Sequence, residues 1–299
     1  MFYFYTAYGL GIQSTLPLPE LYAPAEALSN VDITITQGDL SEFPVENENG
    51  SSFHQIPNGH LLYWNTAGRF TVRAGREIIV DALPGVEADL LRLPLLGTVL
   101  ATALHQRGLL ILHGSAVMIG GGVVVFAGSS GQGKSTMTAV LQRRGHQLVT
   151  DDIVAVEFDQ NQCPHVWPSF PRIKLWPDAI SALGFDPQDH PKINSWVEKR
   201  SYQPDLDFSL NVVPLRAIYF LERGEIGIEP LCAQTALLET LRNTYLSAFG
   251  RPMLGDTEAR QMQQCARIAR QVPLHILRRP SDLSLLPAVA RLVEETLSL

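Results

Sequence analysis

Cysteine is scarce in this chain of 299 residues: three occur, Cys163, Cys232 and Cys265, widely spaced and without a C-x-x-C. That argues against a disulfide framework or a cysteine-ligated zinc site, and it fits a reducing compartment. Charge is modest too. Asp, Glu, Lys and Arg make up 18% of the residues and the formal net charge is -7, which disfavours nucleic acid as the main partner. The basic pairs Arg143-Arg144, Lys199-Arg200 and Arg278-Arg279 read as solvated faces. No basic n-region marks the apolar start MFYFYTAYGLGIQ, so it does not read as a signal peptide. The most apolar stretch, 109–127, contains His113, Ser115 and the Gly120-Gly121-Gly122 turn. It lacks the about 20 turn-free apolar residues of a membrane span and reads instead as two buried strands. The expectation is a soluble, cytoplasmic protein with no membrane partner and no internal repeat.

What is present is an ordinary globular mixture, 45% apolar, with enough chain for a core of normal size. Residues 1–88 are expected to form a small β-rich N-terminal domain. Phe2 to Tyr8 is aromatic, and Val31 to Ile35 alternates with period two. Residues 60–64, 69–73 and 77–80 are further short strands, and 39–58 reads as a loop. Residues 89–299 are expected to form an α/β domain. Its first helix is expected over 89–107, with Pro94 near its start. Strands follow at 109–112, 123–127 and 147–150, the last running into Asp151-Asp152, with 153–158 continuing extended. A strand at 217–221, helices at 236–248 and 257–269, a strand at 274–277 and a closing helix at 283–297 complete the reading, the last helix capped by Ser281 or Asp282.

Gly128-Ser129-Ser130-Gly131-Gln132-Gly133-Lys134-Ser135 matches G-x-x-x-x-G-K-[ST], the P-loop or Walker A pattern. Its glycines let successive N–H groups point inward at phosphate oxygens. The helix expected from Thr136 to Arg144 adds its positive end. Lys134 reaches toward the β- and γ-phosphates, and the Ser135 hydroxyl toward Mg²⁺. The pattern lies between an apolar strand and an amphipathic helix, the context it requires. A glycine-rich turn with an incidental Lys-Ser is the bland alternative.

Asp151 and Asp152 follow the next apolar strand after the loop. At the carboxyl end of a strand they would face a ligand. One carboxylate, Asp151, suits a Mg²⁺ role beside Ser135, and the other suits proton acceptance from an attacking hydroxyl. A strand-end turn capped by Asp is the structural alternative. His113, read as ending a strand beside the loop strand, is either a satisfied core histidine or a neighbour of the γ-phosphate. Arg172, Lys174 and Arg200 are candidates for a phosphate clamp.

These elements together resemble HPr kinase/phosphorylase. The match is His113-Gly114, then the P-loop that opens at Gly128, then Arg144-Gly145-His146-Gln147-Leu148-Val149-Thr150-Asp151-Asp152. The resemblance runs from His113 to Asp152 and implies a P-loop kinase core related to phosphoenolpyruvate carboxykinase. It also implies ATP and Mg²⁺ as cofactors and a serine hydroxyl as acceptor. It implies active-site roles for His113 and Lys134, a proton-accepting role for Asp152 and a metal-binding role for Ser135. The family assembles as oligomers, which implies a homo-oligomer here. The family's metal-binding glutamate is replaced by Lys174 in Arg172-Ile173-Lys174-Leu175-Trp176-Pro177-Asp178, which leaves Asp178 as a substitute ligand. Tyr8-Gly9-Leu10, residues 16–21, residues 174–178 and Arg278-Arg279-Pro280 are similar to a divergent branch that includes lasso-peptide-cluster kinases. The substrate so implied is a serine-bearing peptide or small protein, with a lasso-type precursor among the candidates. A small-molecule kinase, a nucleotide-sensing P-loop module without transferase activity, and an ABC-type ATPase remain open. Against the last, the chain carries no LSGGQ-like signature, and Asp151-Asp152 follows the loop too closely for the usual ATPase acidic motif.

Overall fold

Alternating apolar residues over the first 82 positions make one sheet of seven strands. In chain order these are β1 (Tyr3–Ala7), β2 (Leu10–Ser14), β3 (Ile33–Gln37), β4 (Ser51–Ile56), β5 (Gly59–Trp64), β6 (Gly68–Arg73) and β7 (Glu77–Ala82). In space they run β1-β2-β3-β7-β6-β5-β4. The computed structural model of the chain describes residues 1–25, 28–45, 50–203, 208, 210–246 and 257–298. Strand β4 corrects the reading of 39–58 as all loop. Its sequence, Ser-Ser-Phe-His-Gln-Ile, is too polar to announce a strand, and pairing with β5 from Ser51↔Trp64 to Ile56↔Gly59 supplies what the side chains do not.

The expected single helix over 89–107 is broken. Helix α1 (Ala88–Pro94) passes into a wide π-type turn, Leu95–Val99, in which Gly97 has left helical geometry (φ -97°, ψ -111°). Helix α2 (Leu100–Gln106) resumes beyond it. Pro94 removes one ladder donor and Gly97 costs the backbone little to distort, so the pair places the kink. Among the described residues, 88–106 is long and apolar enough to cross a membrane. Here it lies inside the protein. Leu91, Leu95, Val99, Leu100 and Leu104 share one hydrophobic cluster with Ile12, Ile35 and Phe70 of the first sheet and with Ile111, Ile153 and Ala155 of the second.

The second sheet has seven strands in the order β11-β10-β8-β9-β14-β16-β15. They are β8 (Leu110–Ile119), β9 (Gly122–Ala127), β10 (Gln147–Phe158), β11 (Pro164–Trp167), β14 (Val213–Arg223), β15 (Gly227–Pro230) and β16 (Leu274–Arg279). A separate pair, β12 (Ile173–Leu175) and β13 (Arg200–Tyr202), is antiparallel. Strands β8 and β9 form the hairpin expected across Gly120 and Gly121, both at positive φ. Strands β9, β14 and β16 are mutually parallel, so their carboxyl ends share one rim.

Strand β9 is buried along its whole length, and its alternation divides it between two cores. Val123, Val125 and Ala127 meet Ala236 of helix α5 (Ala233–Arg242) and Cys265 and Ile268 of helix α6 (Glu258–Gln271). Val124 and Phe126 meet Met137 and Leu141 of helix α3 (Lys134–Arg143) and Val289 and Val293 of helix α7 (Leu286–Ser298). (Helix α4, Pro177–Ala182, lies between α3 and α5 in the chain.) The helix expected over 236–248 starts earlier and stops at Arg242, and positions 247 and 248 lie outside the described residues. The closing helix is capped as expected: the Asp282 carboxylate accepts from the Ser284 N–H at 2.9 Å, opening a short 3₁₀ turn before α7.

Candidate active site

The loop between β9 and α3 is shaped by three glycines at positive φ, Gly128 (135°), Gly131 (83°) and Gly133 (89°). Two of them also lie close against the neighbouring strands: a Cβ at Gly128 would stand 3.2 Å from the Leu221 carbonyl oxygen, and one at Gly133 would displace the Arg279 guanidinium. The loop therefore hugs the rim of β14 and β16, and α3 begins at Lys134, ahead of the expected Thr136. Lys134 is 8% exposed, and its ammonium donates to the carbonyls of Gly128 (2.8 Å) and Ser129 (3.2 Å). Burial pulls its pKa down, against the upward pull of Asp152 and Asp151.

Two arginines hold this loop: Arg223, which no sequence motif singles out, and Arg279, quoted above only for the resemblance and as one of a solvated pair. Arg223 ends β14, Arg279 ends β16, and the two are cross-strand partners. Arg279 is 1% exposed and donates through Nε (2.9 Å) and Nη2 (2.7 Å) to the Gln132 carbonyl. Arg223 donates through Nη2 to the Gly131 carbonyl at 3.2 Å. Burial, then Arg223, lowers the Arg279 pKa to about 10. Among the described residues none of Lys134, Arg223 and Arg279 has an ion-pair partner. The available signal is a charged residue closing an apolar strand in an α/β sheet, the place where ligands gather.

The carboxylates sit differently from the expectation. Asp151 and Asp152 are not at a strand end but inside the twelve-residue β10, and β10 is antiparallel to β8. Register slips between Leu148 and Thr150, and Asp152 takes a left-handed backbone (φ 77°) opposite Gly114. A regular strand would send these two consecutive side chains to opposite faces; with the left-handed residue at Asp152 both line one cavity. His113 likewise lies within β8 rather than at its end, opposite Ile153.

Lys174 of β12 joins the two acids. Its N–H donates to Asp151 Oδ2 (2.9 Å) and its ammonium to Asp152 Oδ2 (3.1 Å). His113 Nε2 lies 3.4 Å from Asp152 Oδ1. Burial acts to raise the Asp152 pKa, but Lys174 and His113 outweigh it and hold the carboxyl well below the usual range. Burial acts to lower Lys174, and Asp152 and Asp151 together more than restore it, leaving its pKa raised. Asp151 moves the other way. Burial raises it, although the Lys174 N–H and the Ser135 hydroxyl favour its ionised form. Its Oδ1 is buried with no hydrogen-bond partner.

The expected clamp of Arg172 and Arg200 is corrected. Arg172 pairs with Glu20 at 3.3 Å, and Arg200 donates to the His190 carbonyl at 3.1 Å. Asp178 does reach the cavity, while its Oδ1 accepts from the Ala179 N–H at 2.8 Å. Tyr8, quoted above only for the resemblance, also belongs to the surroundings of Asp152; it sits at the β1–β2 hairpin tip with φ 53°. Its N–H donates to the Pro168 carbonyl at 2.9 Å and its side chain is 2% exposed. Burial, then the Asp152 charge, raises its pKa, and Thr150 and Ser169 lie beside its hydroxyl. No local pattern signals a contact between positions so distant in the chain.

The outcome is one cavity of about 360 Å³ that brings together Ser130, Gly131, Gly133 to Thr136, Asp151, Asp152 and His113, with Lys174, Arg223 and Arg279. Gly128, Ser129 and Gln132 face a second cavity on the far side of the loop. Among the described residues no three His, Cys, Asp or Glu side chains cluster as a metal site. The arrangement can grip an anion by backbone amides and three cations, beside a carboxylate held ionised.

No protein-family model matches the sequence, and no curated protein matches it. Among solved structures, the Hpr(Ser) kinase/phosphatase from Coxiella burnetii is similar at 14% identity, covering 63% of this chain and 92% of that chain, with a TM-score of 0.33. A likeness that loose lends no residue a role.

Proposed function

We propose that the protein is an ATP-dependent kinase that transfers the γ-phosphoryl group to a hydroxyl, namely a serine of a peptide or small protein. The observation that carries this reading is that the phosphate loop and the Asp151-Asp152 pair line one cavity. The resemblance in motif order to HPr kinase/phosphorylase, and to its lasso-peptide-cluster branch, supports the serine acceptor. The P-loop core of the phosphoenolpyruvate carboxykinase type belongs to the same proposal, as does assembly into a homo-oligomer. Free Cys163 and Cys232 at the surface suit a reducing, cytoplasmic setting.

In this reading the loop amides and Lys134 hold the β- and γ-phosphates, which draws the ammonium from its loop carbonyls onto the anion. Arg279 keeps the loop in its binding shape through the Gln132 carbonyl. Mg²⁺ fits at the Ser135 hydroxyl and the unpartnered Asp151 Oδ1, because magnesium takes one or two carboxylates and completes its shell with phosphate oxygens and water. When bound, the metal would neutralise charge on the phosphates. Asp152, ionised across the physiological range, accepts the hydrogen bond of the attacking hydroxyl and orients it. Its low basicity is tolerable because a loose phosphoryl transition state needs positioning more than deprotonation.

The test is incubation with γ-labelled ATP and serine peptides, including products of neighbouring genes. Label on a serine supports the proposal, and loss of that label in Asp152→Asn with ATP affinity intact supports the role of Asp152. A second reading, a nucleotide-sensing module without transfer, is favoured by the Lys174–Asp152 ion pair, which already occupies the acceptor-facing carboxylate. ATP binding with neither transfer nor hydrolysis would establish it in place of the first.

A further inference from the structure

The loop separates two cavities, and their contents differ. The first, about 360 Å³, is lined by Lys134, Asp151 and Asp152 together with Trp176, Ile193, Val197 and Lys199. The second cavity, about 520 Å³, lies beyond His113 and is lined by Glu222, Glu239, Asn243 and Thr244 together with Gly128 and Ser129. His113 borders both cavities.

The direction of a triphosphate on such a loop follows from the loop. The lysine serves the β- and γ-phosphates, while the amides at the helix start follow the chain toward its α end. Lys134 points its ammonium at Gly128 and Ser129, the start of the loop. Thr136, inside the first turn of α3, lines the first cavity and is absent from the lining of the second. The α end therefore leads into the first cavity, and the γ end faces His113 and the second.

Trp176 lines the first cavity. It is 48% exposed, so a face of the indole is open to a ligand. Its backbone is fixed: it is the extended residue before α4, with Pro177 at the first helical position. Pairing of Leu175 with Arg200 sets Lys199 beside it, and the Lys199 ammonium lies 5.6 Å from the indole centroid. Lys199 and Lys134 line the same cavity.

We propose that the nucleobase stacks on Trp176, with Lys199 serving the α-phosphate, and that the acceptor hydroxyl enters through the second cavity past His113. This rests on the kinase reading and adds the polarity of the site. The acceptor oxygen then bonds to the γ-phosphorus as the bridging P–O bond to the β-phosphate breaks. The bond's electron pair leaves with ADP, and the acceptor proton passes to Asp152. The second cavity thus selects the hydroxyl-bearing partner and the first selects the nucleotide.

Photolabelling the full chain with 8-azido-ATP and mapping tryptic peptides tests the polarity without knowledge of the acceptor. Label within residues 175–199 is expected. Label on peptides carrying Glu239 or residues 243–245 overturns the inference while leaving ATP binding, and so the kinase reading, in place. Absence of any nucleotide binding sinks the kinase reading and the inference with it. A second measurement compares ATP with inorganic tripolyphosphate, which has no base. Trp176→Ala should weaken ATP roughly tenfold, in the range of aromatic stacking on a base, and leave tripolyphosphate unchanged, with Trp176→Phe restoring most of the loss. Equal weakening of both ligands, or of neither, overturns the base platform.

Discussion

The phosphate loop and the carboxylate bulge are both charged and line the same cavity, yet they treat charge in opposite ways. At the loop, Lys134, Arg223 and Arg279 are satisfied by carbonyl oxygens of Gly128, Ser129, Gln132 and Gly131. Their hydrogen bonds are made but their charge is not neutralised. At the bulge, Asp152 meets Lys174 and His113, and the charges cancel within the group. A cation resting on carbonyls can leave them for a phosphate at small cost, whereas a carboxylate in an ion pair is fixed in place and in protonation state. The first region is built to receive, the second to hold still.

The comparison breaks most visibly at Lys134. Lys134→Ala should lower transfer by roughly a hundredfold or more, the scale of removing one preorganised charge at a reacting centre, and should weaken ATP binding in a direct titration. Retained affinity would mean that the loop cations are structural. Next, Asp152→Asn should reduce transfer roughly a hundredfold with ATP affinity within twofold, read as kcat against nucleotide Kd. A large change in nucleotide Kd would move the bulge to the binding side of the comparison.

Arg279→Lys sharpens the loop half. A lysine keeps the charge but cannot make the double contact to the Gln132 carbonyl. A stability loss of about 1–2 kcal/mol is expected from that contact, measured by urea unfolding, with ATP affinity falling severalfold. If affinity is untouched, the loop holds its shape without the arginine.

The smallest effect is in pH. Asp152 has a depressed native pKa, so its contribution to stability is complete above the unfolded value of 3.8 and is lost as pH falls toward the lower native value. Lys174 has a raised pKa, so its share is complete below 10.5 and is lost as pH rises through the higher native value. The stability difference between the native protein and Asp152→Asn should therefore shrink below about pH 4. A difference that persists undiminished at lower pH would show that the pair is not what holds Asp152.

Sequence reaches these two regions unequally, for a physical reason. The loop is legible because its glycines, lysine and flanking strand and helix are contiguous, so local pattern carries the geometry. The bulge is legible only as a dipeptide. Its place within β10 depends on pairing with β8, and neither the register slip nor the left-handed backbone at Asp152 has a local signature. Lys174 is visible as a residue but not as the ion-pair partner of Asp152, because β12 approaches β10 only in three dimensions. Arg279 reads as one of a solvated basic pair, although it is among the most buried side chains. In the first sheet, aromatic β5 and β6 declare themselves and polar β4 does not.

Tyr8 has a consequence for how the molecule comes into being. The hairpin tip that carries it bonds Pro168, so the floor beneath Asp152 closes only when the beginning of the chain meets a segment far downstream. Contacts of such sequence separation form late, after the loop entropy between them has been overcome. On the ribosome, the hairpin of β1 and β2 can pair early, but its tip must wait for Pro168. The nascent chain can assemble its glycine loop from one short stretch, while Asp152 gains Tyr8 as a neighbour only after Pro168 has emerged.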